Sequence, residues 1–227
     1  MMKRLSVAID GPAGAGKSTV ARQVAKRLGL TYVDTGAMYR AITWKALRHR
    51  LDLTDESGVI HLARHTDLRL STDQKGVGVW VDGEDVTEAI RTPEVTSNVS
   101  VIAGQGMVRE VLVEKQREMA EQGGVVMDGR DIGTHVLPDA DVKVFLTASI
   151  DERAQRRYQE LMRRGYPVDL DRLKEEISQR DEKDKSREHS PLRPAKDAIH
   201  VDTTGLTIEE VIQAILDLCR TKVGGGE

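Results

Sequence analysis

Residues 11–18 carry the most specific chemical signal in the sequence. They match the pattern G-x-x-x-x-G-K-[ST], in which a glycine-rich loop turns backbone N–H groups toward phosphate oxygens. We expect Lys17 to bridge β- and γ-phosphates and Ser18 to offer its hydroxyl to Mg²⁺. The alternative is a glycine-rich turn that binds nothing. The predicted triphosphate-binding residues are Gly11, Pro12, Ala13, Gly14, Ala15, Gly16, Lys17, Ser18 and Thr19.

A second group of polar residues follows the next apolar stretch along the chain. Thr35, Gly36 and Arg40 come directly after a predicted strand, at the carboxyl edge where open α/β sheets bind ligands. Arg40 could reach a second phosphate group there. Taken alone, Thr35 could be a helix N-cap and Arg40 a solvated side chain, but a position beside the phosphate-binding loop favours the ligand-binding interpretation.

A third group, residues 128–131, also follows a buried apolar run. Asp128 stands where many proteins with this loop place an acid that positions Mg²⁺ through water. Arg130 and Asp131 are then expected to face the same crevice. The competing interpretation is a surface turn with a local ion pair between Arg130 and Asp131, which would contribute little to stability.

Two arginine-rich stripes complete the candidate set. Arg153 and Arg157 are four residues apart and share one helix face. Arg180, Asp184 and Arg187 have i, i+4, i+7 spacing, which aligns two cations and a carboxylate on one side of a helix. Residues 180–188 are dense in alternating charge, however, and the spacing alone favours a solvated helix face.

Hydrophobic periodicity predicts the elements that must position these residues. The predicted strands cover 5–10, 30–34, 125–127, 142–146 and 198–201. The predicted helices cover 17–28, 37–49 and 107–122, followed by two long helices on either side of 163–167 and a last helix from Thr207. Thr207 and Glu210 form a capping box. Residues 66–86, with β-branched alternation and an Asp82-Gly83 turn, predict a small antiparallel insert, so the whole is a parallel α/β sheet with an insertion.

Composition sets limits on partners and location. The chain has 227 residues, 39% hydrophobic and 31% charged, with a net charge of −3, so no global basic field favours nucleic acid or an anionic membrane. Cys219 is the only cysteine, which excludes internal disulfides and cysteine-based zinc sites. The apolar stretch 5–9 is too short for a signal sequence or a membrane span. We expect a cytoplasmic protein.

The motifs together resemble the bacterial cytidylate kinases. IDGPAGAGKST, DTGAMYR, IRTPEV, DGRDIGT, ERAQRR and RDEKDKSRE occur in that family's order between about residues 7 and 211. The resemblance implies an α/β P-loop NTPase fold of three layers, with a five-stranded parallel sheet, a nucleoside-monophosphate-binding region enlarged by the antiparallel insert, and a short lid. The implied segments are a core of 1–36, 103–157 and 171–223, the monophosphate-binding region 37–102, the lid 158–170 and a flexible tail 224–227.

The resemblance also implies roles for individual residues. Those implied to hold the acceptor phosphate are Arg40 and Arg130. Those implied to read the cytosine are Ser100, Arg109, Asp131 and Arg187. Those implied to meet the sugar are Arg180 and Asp184. Those implied to clamp the donor phosphates are Arg153 and Arg157. Cytosine suits such a set, because its exocyclic amine donates to a carboxylate while N3 and O2 accept from arginines.

The implied activity is transfer of a phosphoryl group from ATP·Mg²⁺ to CMP or dCMP by a monomeric enzyme. One rival is a related kinase that acts on another nucleotide or a small alcohol, although many arginines favour a phosphorylated acceptor. A second rival is a GTP-binding switch protein, which would read guanine with an Asn-Lys-x-Asp element. Asn98 is the only asparagine and Val99 follows it, so that element is absent.

Overall fold

The computed structural model of the protein describes residues 5–73 and 76–224. The described residues divide into two compact units. The first unit contains 5–30 and 124–224, and the second contains 31–73 and 76–123. Each unit is a set of residues that contact one another more than they contact the rest of the chain. The predicted core, monophosphate-binding region and lid are divisions by substrate-binding role. Their boundaries therefore stay predictions. Residues 225–227 of the predicted tail lie outside the described residues.

Among the described residues, eight strands form two sheets. The strands are β1 Ser6–Asp10, β2 Thr31–Asp34, β3 Leu68–Asp73, β4 Gly76–Val81, β5 Glu84–Asp85, β6 Val125–Gly129, β7 Val142–Thr147 and β8 Ile199–Asp202. The larger sheet has the order β2-β6-β1-β7-β8, and the pairs β1–β6, β1–β7 and β7–β8 are parallel. The smaller sheet has the antiparallel order β3-β4-β5. Both the predicted five-stranded parallel sheet and the predicted antiparallel insert are confirmed.

The part of the chain that the structure describes also contains eight α-helices. They are α1 Lys17–Leu28, α2 Thr35–Arg48, α3 Glu56–Arg64, α4 Pro93–Gly104, α5 Gly106–Glu121, α6 Ile150–Arg163, α7 Leu170–Ser186 and α8 Ile208–Gly224. A short 3-10 helix covers Ala89–Arg91, and a π-helical turn covers Ile132–Val136. None of the helices within the described ranges is both long and apolar enough to cross a membrane.

In the first unit, the apolar residues of the central strands form a buried core. Val125, Val126 and Met127 of β6 are fully or almost fully buried, as a strand covered on both faces of a parallel sheet requires. Helix α1 is flanked by its N-cap Gly16 and its C-cap Gly29, both in the left-handed conformation. The predicted capping box is confirmed, since the Glu210 carboxylate accepts from the Thr207 amide while the Thr207 hydroxyl accepts from the Glu210 amide.

In the second unit, helices α3 and α4 are present where no helix was predicted. Helix α4 has clear start signals, because Thr92 accepts a hydrogen bond from the amide of Val95 and Pro93 occupies the first turn. Helix α3 is short, and Gly58 weakens its helical pattern. Asp55 caps α3 by accepting from the amide of Gly58.

Candidate active site

The phosphate-binding loop joins the end of β1 to the start of α1. Gly11, Gly14 and Gly16 all have positive φ angles, of 146°, 79° and 88°. A Cβ atom on Gly11 would lie 2.0 Å from the carbonyl oxygen of Leu146, and one on Gly14 would lie 3.0 Å from Cβ of Arg153. The loop therefore needs glycine both for its backbone conformation and for its close packing against β7 and α6.

Lys17 lies inside this loop as a buried cation. Its Nζ donates to the carbonyl oxygen of Pro12 at 2.8 Å, and the residue is 5% exposed. The pKa of Lys17 is lowered to about 7, chiefly by burial and next by the positive charge of Arg130, while the negative charge of Asp128 opposes the shift. An anionic ligand in the loop would relieve both effects, so the loop is electrostatically prepared for phosphate.

Ser18 and Asp128 lie side by side, as expected for a magnesium site. The Ser18 hydroxyl donates to Oδ2 of Asp128 at 3.0 Å. Asp128 belongs to β6, next to β1 in the sheet, and is 3% exposed. A hydroxyl and a carboxylate are hard oxygen donors of the kind that Mg²⁺ prefers.

Asp10 is a buried carboxylate at the end of β1 that the sequence did not single out. It accepts hydrogen bonds from the backbone amides of Ile132 and Gly133, both at 2.8 Å. The pKa of Asp10 is raised to about 6, chiefly by burial; the two amides oppose the shift, and the nearby charge of Asp131 contributes to it.

An arginine cluster, which we define as Arg130, Arg180, Arg187 and Asp184, gathers charges from two parts of the first unit. Nε of Arg130 donates to Oδ2 of Asp184 at 2.9 Å, and Nη2 of Arg187 lies 3.4 Å from Oδ1 of Asp184. Burial opposes ionisation of Asp184, but Arg130, Arg187 and Arg180 outweigh it and hold the pKa of Asp184 below its usual range. The interpretation of this stripe as a solvated helix face is wrong, because Asp184 is 5% exposed.

Positive charge is in excess in the arginine cluster. The pKa of Arg180 is lowered to about 10, chiefly by burial; Arg130, Arg157 and Arg187 contribute to the shift and Asp184 opposes it. Arg180 remains fully protonated at neutral pH. Its Nε is buried and has no hydrogen-bond partner among the described residues. Arg130 and Arg180 also act on the pKa of Lys17, so the cluster and the loop lie within electrostatic range of each other.

Arg153 and Arg157 share the α6 face as predicted, but their surroundings differ. Arg153 is 6% exposed and donates to the carbonyls of Ala13 and Ala148, both at 3.1 Å, and to Asp181 of α7 at 2.6 Å. It therefore links the phosphate-binding loop to α6 and α7. Arg157 pairs with Glu160 at 2.8 Å on its own helix. The predicted contacts of both arginines with donor phosphates stay predictions.

The remaining predicted residues lie in the second unit. Thr35 and Gly36 form the first turn of α2, whose N-cap is Asp34; its carboxylate accepts from the amide of Ala37. Arg40 donates to the Thr96 hydroxyl at 2.8 Å. The half-buried Ser100 lies on α4.

Arg109 of α5 is buried within the second unit and points over an aromatic ring. Its Nη1 donates to the carbonyl of Ala103 at 3.1 Å, and its guanidinium carbon lies 5.3 Å from the centre of the Tyr39 ring. This geometry is a cation–π contact, which fixes the guanidinium plane.

The residues that sequence reasoning missed are those whose importance depends on a partner distant in the chain. They are Asp10, Thr96 and Asp181. Asp10 offered one signal, an acidic residue that ends an apolar strand immediately before a glycine-rich loop. Thr96 and Asp181 sit on helices among other polar residues, and nothing in the spacing distinguished them.

The fold and these contacts define the class first: an α/β protein with a P-loop and, in the same unit, a buried cluster of arginines around Asp184. The comparisons with known proteins then give the family. A protein-family model described as cytidylate kinase matches residues 7–221. The chain belongs to the cytidylate kinase family.

Curated relatives agree over nearly their whole lengths. The chain is 53% identical over 224 residues to the cytidylate kinase of Geobacillus kaustophilus, covering 99% of this chain and 100% of that protein. It is 55% identical over 222 residues to the cytidylate kinase of Bacillus subtilis, covering 98% and 99%. Among solved structures, a gluconokinase from Sinorhizobium meliloti has a TM-score of 0.50 at 16% identity, covering 97% of this chain and 95% of that one, a likeness of fold alone.

Proposed function

We propose that the protein transfers the γ-phosphoryl group of ATP to CMP or dCMP, giving ADP and CDP or dCDP. Membership of the cytidylate kinase family supports the reaction. The observation that carries the proposal is the excess of positive charge around Asp184 within electrostatic range of Lys17. One anion site in the loop suits the donor, and a second suits an acceptor that itself carries a phosphate.

The reaction is an in-line displacement. An oxygen of the acceptor phosphate attacks the γ-phosphorus, a new oxygen–phosphorus bond forms, and the bond from that phosphorus to the β–γ bridging oxygen breaks. No general base is needed, because the second pKa of a phosphate monoester is about 6 and the attacking oxygen is already ionised at neutral pH. The chain's task is to position both phosphates and to balance their charge with Lys17 and the arginines.

The donor set beside the loop suits Mg²⁺. Ser18 and Asp128 would hold the ion, Asp128 through water, while phosphate oxygens and waters would complete its coordination. Within the described residues, no group of three or more His, Cys, Asp or Glu side chains could hold a metal by itself. When bound, Mg²⁺ neutralises charge on the β- and γ-phosphates.

We assign the acceptor to the residues that the family resemblance implies. Arg40 and Arg130 hold the acceptor phosphate, and Arg180 and Asp184 meet the sugar. The cytosine readers are Ser100, Arg109, Asp131 and Arg187. Asp131 supplies an acceptor for the cytosine amine, whereas the O4 of uracil would face it as a second acceptor. Such an unpaired polar contact costs about 1–3 kcal/mol, so UMP should be a poorer substrate than CMP.

An acceptor panel tests the proposal. ADP release is measured with CMP, dCMP, UMP, AMP and a shikimate-like alcohol at equal concentrations. We expect CMP and dCMP to react fastest, UMP more slowly, and AMP and the alcohol at background. Activity on AMP equal to or above that on CMP would contradict cytosine recognition. Activity confined to the alcohol would contradict a phosphorylated acceptor.

We also propose that the protein acts as a cytoplasmic monomer that binds neither nucleic acid nor membranes. The net charge of −3 supports the expected absence of nucleic-acid and membrane binding, because no global positive field attracts nucleic acid or anionic lipids. Light scattering on the purified protein tests the oligomeric state.

A further inference from the structure

The carboxylate of Asp10 lies where the phosphate-binding loop begins, yet its hydrogen bonds go elsewhere. Gly11 follows it directly in the chain, but the carboxylate accepts from the amides of Ile132 and Gly133 across the sheet, both at 2.8 Å. The residue is 3% exposed. Asp10 therefore joins the strand that leads into the loop to the turn that follows Arg130 and Asp131.

The turn that Asp10 holds fixes the backbone around Asp131. The carbonyl oxygen of Asp131 accepts from the amides of His135 and Val136, at 2.8 and 3.2 Å, within the π-helical turn. Asp10 binds the two amides that come immediately after Asp131. The hydrogen bonds to the Asp10 carboxylate and those to the Asp131 carbonyl thus both fix the main chain on the carboxyl-terminal side of Asp131. A fixed main chain restricts where the Asp131 side chain can lie.

The carboxylate of Asp10 packs closely against the backbone of this turn. A Cβ atom on Gly133 would lie 3.4 Å from Oδ2 of Asp10 and 3.2 Å from Cδ of Lys143. Two amides donate to the two oxygens of one carboxylate. An asparagine side chain could accept from only one of them with its oxygen and would turn its own N–H groups toward the other.

We propose that Asp10 is a positioning residue for cytosine recognition, acting through the 132–133 amides to place Asp131. This inference rests on the proposed function, in which Asp131 accepts a hydrogen bond from the cytosine amine. A buried carboxylate close to a second carboxylate is electrostatically unfavourable, and the two amide bonds compensate for it. Asp10 thereby connects the loop that binds the donor with the residue that reads the acceptor base.

The variant Asp10→Asn tests the proposal. We expect kcat/KM for CMP to fall about 10- to 100-fold, because a small displacement of a reading group has that effect. The ratio of kcat/KM for CMP to that for UMP should fall with it, while KM for ATP stays near the wild-type value. The matched control is Asp141→Asn, which removes a carboxylate that accepts from the amide and hydroxyl of Ser6 at the opposite end of β1.

The outcomes separate the two proposals. If wild-type protein does not prefer CMP, the proposed function fails. If wild-type protein prefers CMP and Asp10→Asn keeps the same CMP to UMP ratio, the positioning role fails. Equal losses for CMP, UMP and ATP, matched in Asp141→Asn, would likewise make Asp10 a stabilising residue only. Should Asp10→Asn not fold, Gly133→Ala displaces the same turn without removing the charge, and it should lower the same ratio.

Discussion

In the phosphate-binding loop the buried cation Lys17 donates to a backbone carbonyl, whereas in the arginine cluster three guanidinium groups surround the single carboxylate of Asp184. The backbone of the loop itself supplies the hydrogen-bond partner of Lys17. The cluster carries more positive than negative charge, and the Arg180 Nε has no hydrogen-bond partner among the described residues. The loop therefore has its shape before a donor arrives, whereas the cluster agrees with the proposal that an acceptor phosphate binds beside it.

The largest effect should come from removing the loop's cation. We expect Lys17→Met to lower kcat about 10³-fold, because it removes charge stabilisation at the transferred phosphoryl group. The melting temperature without substrate should not fall, since a buried ammonium is costly to desolvate. ADP release and calorimetry measure the two. The exposed Lys26→Met on the same helix should leave both unchanged, and near-normal turnover in Lys17→Met would contradict the role of the loop.

The next largest effect should appear when removal of the carboxylate of the arginine cluster is compared with removal of one of its guanidinium groups. Asp184→Asn leaves buried guanidinium groups without their anion, so we expect the free energy of unfolding to fall by about 3–5 kcal/mol. Arg180→Met removes one of the crowded cations and should change it by less than about 1 kcal/mol. Urea unfolding of both variants decides this. A larger loss in Arg180→Met would show that the cluster is balanced without a ligand.

A smaller effect should follow from adding inorganic phosphate in place of chloride at constant ionic strength. An anion that binds only the folded protein stabilises it by mass action, and about 1 kcal/mol raises the melting temperature by about 2–4 °C at this chain length. We expect phosphate to raise the melting temperature of Arg180→Met by less than it raises that of Lys26→Met. If Lys17→Met alone abolishes the increase, the anion binds only in the loop and the comparison fails.

The last prediction concerns the dependence of stability on pH. The pKa of Lys17 is about 7 in the folded protein against about 10.5 in the unfolded chain, so between these values the unfolded chain holds the proton that the folded protein has lost. The free energy of unfolding should therefore rise with pH from 7 upward, by at most about 1.4 kcal/mol per pH unit for one proton. Lys17→Met should lack this increase. Parallel curves for both proteins between pH 7 and 9 would contradict the shifted pKa.

Local signals in the sequence predicted the elements that carry the site. The apolar run before Asp128 and the capping box at Thr207 act over a few residues, and both appear as expected. Helix α4 was not predicted, although Thr92 and Pro93 form a recognisable helix start. The π-helical turn 132–136 has no periodic pattern that could have revealed it.

The arrangement of charges could not be predicted, because it depends on partners far apart in sequence. Spacing alone favoured a solvated face for Arg180, Asp184 and Arg187, and only the contact with Arg130, more than fifty residues earlier, shows why Asp184 is buried. Arg153 and Arg157 were indistinguishable by spacing. Their difference arises from Asp181 and the carbonyl of Ala13, which reach only Arg153.

Comparing CMP with cytidine as acceptors tests the central claim most directly, because the two differ only in the phosphate that the arginine cluster is proposed to balance. ADP release by the wild-type protein is measured with each at equal concentration, with ATP and Mg²⁺ present. The account predicts rapid release with CMP and only background release with cytidine. Comparable kcat/KM for cytidine would contradict it, since the excess positive charge would then have no part in binding the acceptor.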